Sequence, residues 1–415
     1  MGLEGRSVLF ISYNGMLDPL GQTQVLPYLR ELAMRGVQFT LLSFERESAF
    51  EVGNAPQREA LGEQLRDQNI EWHYLRYHRS PSLPATMFDV ANGVRYARQL
   101  VRRNRIELLH ARSHIPVTIA LALKKQFGLK MIFDVRGLMA DEYVDANHWQ
   151  KGNIPYRLTK YMESRALRVA EGIVTLTDVI WPIIKKWDGL NGRSNIVHEV
   201  IPCCADLAAF RFSQQDRDQR RAELGLRDRF VIVYSGSIDG WYLTEEMADF
   251  FAMVRKRLSD AHALWLTPIK HDRIRSLMLA RGIPETDYTV CAAAPKEVSS
   301  YLSASDAGLA FIKPCFSKLA SSPTKYAEYL ACGLPIIINA GIGDSDALVD
   351  DNIGALVHDF TEVQFASAAA KIDELVREPE NTRRRTRQLA EQRFDVREVG
   401  AQRYSRLYEK VFELA

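Results

Sequence analysis

A chain of 415 residues is longer than one ordinary hydrophobic core organises, so two domains are expected. With 47% hydrophobic and 26% charged residues the composition is globular, which excludes a disordered or low-complexity protein. The 54 basic residues nearly balance the 52 acidic ones, so no positive excess points to nucleic acid.

The first residues run directly into a strand pattern without a signal-peptide pattern, and no apolar run approaches the roughly 18 residues of a membrane span. The expectation is a cytoplasmic protein. Residues 7–13 read as a short buried strand and residues 22–35 as an amphipathic helix with Val25, Leu29 and Leu32 at helical spacing. Residues 37–44 supply the next strand and complete a βαβ unit. The alternation predicts further strands at 70–75, 106–110, 130–134, 172–177 and 195–201. A second series follows at 230–235, 261–267, 287–291, 307–312, 334–339 and 355–358. Its helices fall near 243–258, 271–281, 295–303, 323–332 and 361–377. Two consecutive α/β arrays, each a parallel sheet covered by helices, place a linker near 202–215. The charged segment from 379 onward is helical, with Val396, Tyr404, Leu407, Val411 and Leu414 at apolar positions.

Ligands of open parallel sheets bind beyond the carboxyl ends of the strands. Residues 14–23 follow the first strand and contain Gly15 and Gly21 but no GxGxxG, so a nicotinamide fingerprint is not supported. His110, Arg112 and His114 follow a later strand, Asp134 and Arg136 the next, and residues 235–242 the first strand of the second array. These polar strand ends predict one cleft between the two domains. His110 and His114 suit hydrogen-bonded core histidines better than metal ligands, and the five cysteines show no metal-binding spacing. Asp134 and Arg136 fit a structural ion pair or a charged site, and Trp241 and Tyr242 fit helix packing or a sugar face.

Residues 321–339 carry the strongest signal. Ser322 can cap a helix, Pro323 suits its first position, and Gly333 suits the left-handed position past its end. The apolar run 334–338 then reads as a buried strand. Lys325 stands in the first turn, where free N–H groups are already positive, and Glu328 lies one turn deeper on the same face. The pair fits a solvated ion pair, or a site in which the lysine takes a diphosphate and the carboxylate a sugar diol.

On these residues the chain resembles a retaining glycosyltransferase of the GT-B fold, in carbohydrate-enzyme family 4. The resemblance is carried by Gly21-Gln22, by Val-Ile-Pro-Cys-Cys-Ala-Asp-Leu-Ala-Ala-Phe at 200–210, and by Tyr-Ser-Gly-Ser at 234–237. It is strongest in Pro-Thr-Lys-Tyr-Ala-Glu-Tyr-Leu-Ala-Cys-Gly-Leu-Pro at 323–335. It implies two Rossmann-like domains with a cleft between them: an acceptor domain at 1–202 and a nucleotide-sugar donor domain at 203–385. A terminal helix at 386–415 would cross back to the first. It implies donor contacts from Gly21, Gly236, Ser237, Lys318, Thr324, Lys325 and Glu328. Asp134, Arg136, Arg112 and Lys325 would act at the reacting centre, with a nucleotide-diphosphate sugar as co-substrate and neither metal nor cofactor. Asp134 would orient sugar or acceptor, and Gly21 would let the backbone approach donor and acceptor closely. Three departures stand out. Ala320 occupies the place of the family's first glutamate, the loop 235–242 has no cation, and Asp134 replaces a common histidine.

The acceptor would be a glycan, a lipid-linked sugar or a small molecule. A sugar-nucleotide 2-epimerase and a non-catalytic nucleotide-sugar-binding subunit are alternatives on the same fold. Arg95, Arg98, Arg102 and Arg103, with the basic and aromatic residues of 156–168, fit a solvated face or peripheral contact with the inner membrane face.

Overall fold

The computed structural model describes residues 2–80, 82–350 and 352–414, so Met1 and Ala415, the outer limits of the expected domains, lie outside the described residues. The chain divides into two compact units: residues 1–202 with 396–415, and residues 203–395.

The first unit contains seven strands: β1 (Ser7–Ser12), β2 (Gln38–Glu45), β3 (Ile70–Arg76), β4 (Leu108–Arg112), β5 (Lys130–Asp134), β6 (Gly172–Thr175) and β7 (Val197–Val200). They pair in parallel in the order β3-β2-β1-β4-β5-β6-β7. Strands β1, β4 and β6 are almost wholly buried, as expected of a sheet covered on both faces. The expected single helix at 22–35 is two helices, Pro19–Gln24 and Leu26–Met34, broken at Val25 with φ −125° and ψ −65°. Pro27 is the cause: it has no N–H to continue the ladder, and its ring crowds the carbonyl of the preceding turn.

The helix Gln402–Glu413 packs on this first unit through Tyr404, Leu407, Tyr408 and Val411, all buried. Gly172 makes room for it, because a β-carbon there would lie 3.0 Å from Val411 and 2.8 Å from Ile132. Lys130 Nζ donates to the Phe412 carbonyl at 3.0 Å, closing the last turn of that helix.

The second unit contains β8 (Phe230–Ser235), β9 (Ala261–Leu266), β10 (Tyr288–Cys291), β11 (Ala307–Ala310), β12 (Ile336–Asn339) and β13 (Gly354–Val357). Their order β10-β9-β8-β11-β12-β13 is that of a dinucleotide-binding sheet, with the switch point between β8 and β11. Helix starts follow side-chain chemistry. Ser213 Oγ accepts from the Asp216 amide at 3.2 Å, and Thr361 caps Glu362–Val376 in the same way. Phe250, Phe311 and Phe365 pack together in the core, the last two stacked at 5.9 Å. The second unit ends at 395 rather than at 385, because Pro379–Phe394 belongs to it. Arg387 on that helix donates to the carbonyls of Phe210 at 2.8 Å and Ala331 at 2.9 Å, and Ala390 and Phe394 enter the core. Among the described residues, no helix is long and apolar enough to cross a membrane.

Candidate functional site

In the second unit, the loops after β8 and β11 flank the switch point and are laced together. Tyr242 bridges to Ile312, the Lys313 amide donates to Trp241 at 2.8 Å, and the Leu243 amide donates to Phe311 at 3.0 Å. Asn339 at the end of β12 fixes the β11 side, accepting from the Ile312 amide at 2.7 Å and donating to its carbonyl at 2.9 Å. Above this frame begins the helix Thr324–Ala331. Its seat depends on Gly308 in β11, where a β-carbon would lie 2.3 Å from the Tyr329 ring. Tyr329 Oη in turn accepts from the Ser235 amide at 2.8 Å, tying helix to β8.

Lys325 emerges from the first turn of that helix and is buried, its Nζ 3.5 Å from the Tyr242 ring centre and 4.6 Å from that of Tyr234. Gly236, at φ 137°, passes beneath it: a β-carbon there would lie 3.2 Å from Nζ. Burial drives the Lys325 amine down to about 7, with Glu328 opposing the fall. Burial likewise drives the Glu328 carboxyl up to about 7 against the pull of Lys325. Among the described residues no direct ion pair joins them, and the Glu328 carboxylate has no hydrogen-bond donor. The two groups are thus held apart, Lys325 Nζ donating only a long hydrogen bond to Tyr234 Oη at 3.4 Å and the Glu328 carboxylate accepting none among the described residues. An anion at Lys325 and a diol at Glu328 would satisfy both.

In the first unit the corresponding edge holds a different cluster. Asp134, 1% exposed at the end of β5, accepts from Tyr404 Oη at 2.7 Å, and His110 Nε2 stands 3.6 Å away. His110 Nδ1 lies 2.6 Å from Tyr408 Oη. Burial pushes the His110 imidazole down and keeps it neutral. With Nδ1 accepting from Tyr408 Oη, Nε2 carries the proton and faces Asp134 at 3.6 Å without reaching hydrogen-bond distance. Burial would raise the Asp134 carboxyl, but Arg136, His110 and Arg112 overcome that and hold it below the usual range. Arg112 donates to Asn14 at 3.0 Å and Arg136 to Gln24 at 3.4 Å. Ser113 (φ 78°) and Arg136 (φ 55°), at the ends of adjacent strands, both occupy the left-handed region, a local strain that clusters at functional edges.

Residues 21–180 match the family described as Glycosyl transferase 4-like domain, and residues 318–398 match Glucosyltransferase 3-like, C-terminal domain. Among solved structures, sucrose-phosphate synthase from Thermosynechococcus elongatus superposes with a TM-score of 0.76 at 15% identity, over 98% of this chain and 99% of that one. A glycosyltransferase from Rickettsia africae gives 0.74 at 12% identity, over 99% of both chains. Anabaena HepE in complex with UDP-glucose gives 0.70 at 14% identity, over 98% of this chain and 100% of that one. The fold is GT-B, two Rossmann-like units each built on a parallel sheet. No curated protein matches the chain in sequence.

Within this fold the structure gathers Gly236, Ser237, Lys325 and Glu328 around the β8 loop and the helix Thr324–Ala331. Tyr234 Oη donates to the Ser237 carbonyl, and Thr324 is the first helical residue. The helix begins one residue later than expected, with Pro323 at the cap and no side-chain cap bond. Ser322 Oγ instead accepts from the Cys203 amide at 3.1 Å. Gly333 does take the left-handed position, at φ 81°. Lys318 is buried with its Nζ 3.8 Å from the Trp241 ring centre, and Ala320 beside it is 2% exposed.

Two expectations change. Gly21 sits inside Pro19–Gln24, and a β-carbon there would lie 2.1 Å from the Gly15 carbonyl, so its close approach is to its own loop rather than to a ligand. Asp134 is too enclosed to present its carboxylate to sugar or acceptor, and Tyr404 already occupies Oδ2, so it acts on its neighbours. Tyr234 and Tyr329 were not legible as site residues, because their roles depend on β8 lying beside β11. Glu45, whose carboxylate accepts from the Met16 amide at 2.7 Å and the Ser43 hydroxyl at 2.6 Å, shapes the loop after β1 and was equally hidden.

Proposed function

We propose that the protein moves a sugar from a nucleoside-diphosphate sugar to an acceptor hydroxyl with retention of anomeric configuration, the second unit holding the donor and the first the acceptor. The observation that carries this reading is the Lys325–Glu328 pair. A buried amine against two tyrosine rings and an unengaged carboxylate one turn along sit at the switch point of a nucleotide-binding sheet. A diphosphate bound at Lys325 would return the amine to its charged form, since an anion beside it stabilises the ammonium. Ribose hydroxyls donating to Glu328 would do the same for the carboxylate. The free amides of the first helical turn add positive potential on the phosphate side.

As the glycosidic bond to phosphate breaks, negative charge grows on the departing oxygen, and Lys325 is the cation placed to stabilise it. Such preorganised charge needs no metal, and a departing phosphate on the acceptor's side can take the acceptor proton, giving retention. The UDP-glucose complex of the HepE neighbour supports a uridine donor. Arg112 and Arg136 supply positive charge at the first unit's edge, Asn14 and Gln24 accepting their hydrogen bonds and the Asp134 carboxylate lying near enough to feel their charge.

The test incubates the purified chain with UDP-glucose, with and without EDTA and an acceptor pool, and follows anomeric protons by NMR. Transfer with retention that survives EDTA is expected. Inversion, or a metal requirement, refutes the corresponding part. Donor isomerised without acceptor would identify an epimerase, and donor binding without turnover a non-catalytic subunit.

A further inference from the structure

A second built site lies at the carboxyl edge of the first unit, where Tyr13 follows β1 and His78 follows β3. Asp89, on the helix Ser82–Arg103, is 0% exposed and accepts three hydrogen bonds there. Tyr13 Oη reaches Oδ2 at 2.7 Å, the His78 amide reaches Oδ2 at 3.0 Å, and His78 Nδ1 meets Oδ1 at 2.6 Å. Burying a carboxylate is costly unless every lone pair is used, and here the arrangement serves one imidazole. The His78 side chain remains 38% exposed. With Nδ1–H committed to Asp89, the tautomer is fixed and Nε2 is left as an acceptor, with no hydrogen-bond partner among the described residues.

Beside it the same helix exposes apolar surface. The Phe88 ring meets the His78 ring edge-on at 5.1 Å and is 57% exposed. Met87 is 61% and Leu83 37% exposed; four residues apart, they share one face of that helix, next to Phe88 in the chain. An aimed hydrogen-bond acceptor bordered by apolar side chains has the chemistry of a site for a hydroxyl carried on an apolar body.

We propose that this is an acceptor subsite in which His78 Nε2 accepts a hydrogen bond from the acceptor hydroxyl and Phe88, Met87 and Leu83 cover its apolar part. The acceptor is then an amphiphilic glycoside rather than a free sugar. Asp89 and Tyr13 are positioning residues that act through His78. This inference rests on the reading of the first unit as the acceptor domain.

The test titrates the full chain, labelled with 15N-histidine, with octyl β-glucoside below its micelle concentration, and separately with glucose. The His78 Nε2 signal should shift saturably with octyl β-glucoside, at least roughly tenfold more tightly than with glucose. Phe88→Ala should weaken octyl β-glucoside roughly tenfold, and Asp89→Asn should change the His78 tautomer signature and weaken it too. An unmoved His78 signal, equal affinity for the two probes, or an unaffected Phe88→Ala variant overturns the proposal. UDP titrated into the same samples separates the two readings. Binding of UDP without octyl β-glucoside refutes the acceptor subsite alone. Binding of octyl β-glucoside at His78 without UDP refutes the donor reading and leaves the subsite standing.

Discussion

Replacing Glu328 with glutamine should make the free protein more stable while weakening its grip on nucleotide. Burial raises the Glu328 carboxyl from 4.5 to about 7 in the folded chain. Between those values the folded state binds more protons than the unfolded one, so stability falls as pH rises through the window. Above the window the whole penalty is present, on the order of 3 kcal/mol at 1.36 kcal/mol per pH unit. The value of about 7 already contains the attraction to Lys325, so glutamine removes that net penalty, a gain of up to about 3 kcal/mol. The assay is urea denaturation at about pH 8 and about pH 5, read in the second unit by hydrogen exchange of the β12 amides. The gain should be clear at the higher pH and shrink at the lower one. A gain independent of pH, or a variant less stable at the higher pH, would refute the claim that Glu328 is held in a destabilised, functional state.

Gly308→Ala places a β-carbon 2.3 Å from the Tyr329 ring, so the helix Thr324–Ala331 must shift. The expected loss is about 1–3 kcal/mol in urea denaturation together with weaker UDP binding, and unchanged values in both would contradict the seating argument. Gly236→Ala is strained at φ 137° and approaches Lys325 Nζ at 3.2 Å, so UDP affinity should drop in calorimetry. Tyr404→Phe takes the 2.7 Å hydrogen bond from Asp134, with a predicted cost of about 1–3 kcal/mol near neutral pH. Because the folded-state Asp134 carboxyl is held low, its stabilisation is present above the unfolded value and lost as pH falls. The variant raises that carboxyl, so acid unfolding of the first unit should begin at a higher pH than in the wild type.

Both sheets were legible because each strand is a short apolar run between turn residues, and β5 and β8 fall on the predicted limits. Pro27 broke a helix that periodicity alone reads as continuous, and Arg387 drew the helix Pro379–Phe394 into the second unit through backbone carbonyls far away in sequence. Lys325 and Glu328 could be singled out because a cation in a first helical turn is locally unfavourable. Tyr234 could not, since it reaches Lys325 only after β8 and β11 pair, and Tyr242, read as helix packing or a sugar face, lies instead against the Lys325 amine. Asp134 and Gly21 mark the opposite limit: residue type and strand-end position suggested ligand contact, while Tyr404 and the Gly15 carbonyl are their actual neighbours. His78 and Asp89 lie 11 residues apart in sequence, and what makes them a site is the buried carboxylate joined to Tyr13 from β1.

The most direct test of the donor site is calorimetric titration of UDP into the wild type, Lys325→Ala and Glu328→Ala at about pH 8, in buffers of different ionisation enthalpy. The free Lys325 amine, lowered to about 7, is largely neutral there, so UDP binding to the wild type should draw a proton from solution. Affinity should fall as pH rises further. Lys325→Ala should lose the proton uptake and bind roughly 10- to 100-fold more weakly, and Glu328→Ala should also weaken binding. Unchanged affinity in both variants, or wild-type binding with no linked proton, would contradict the account.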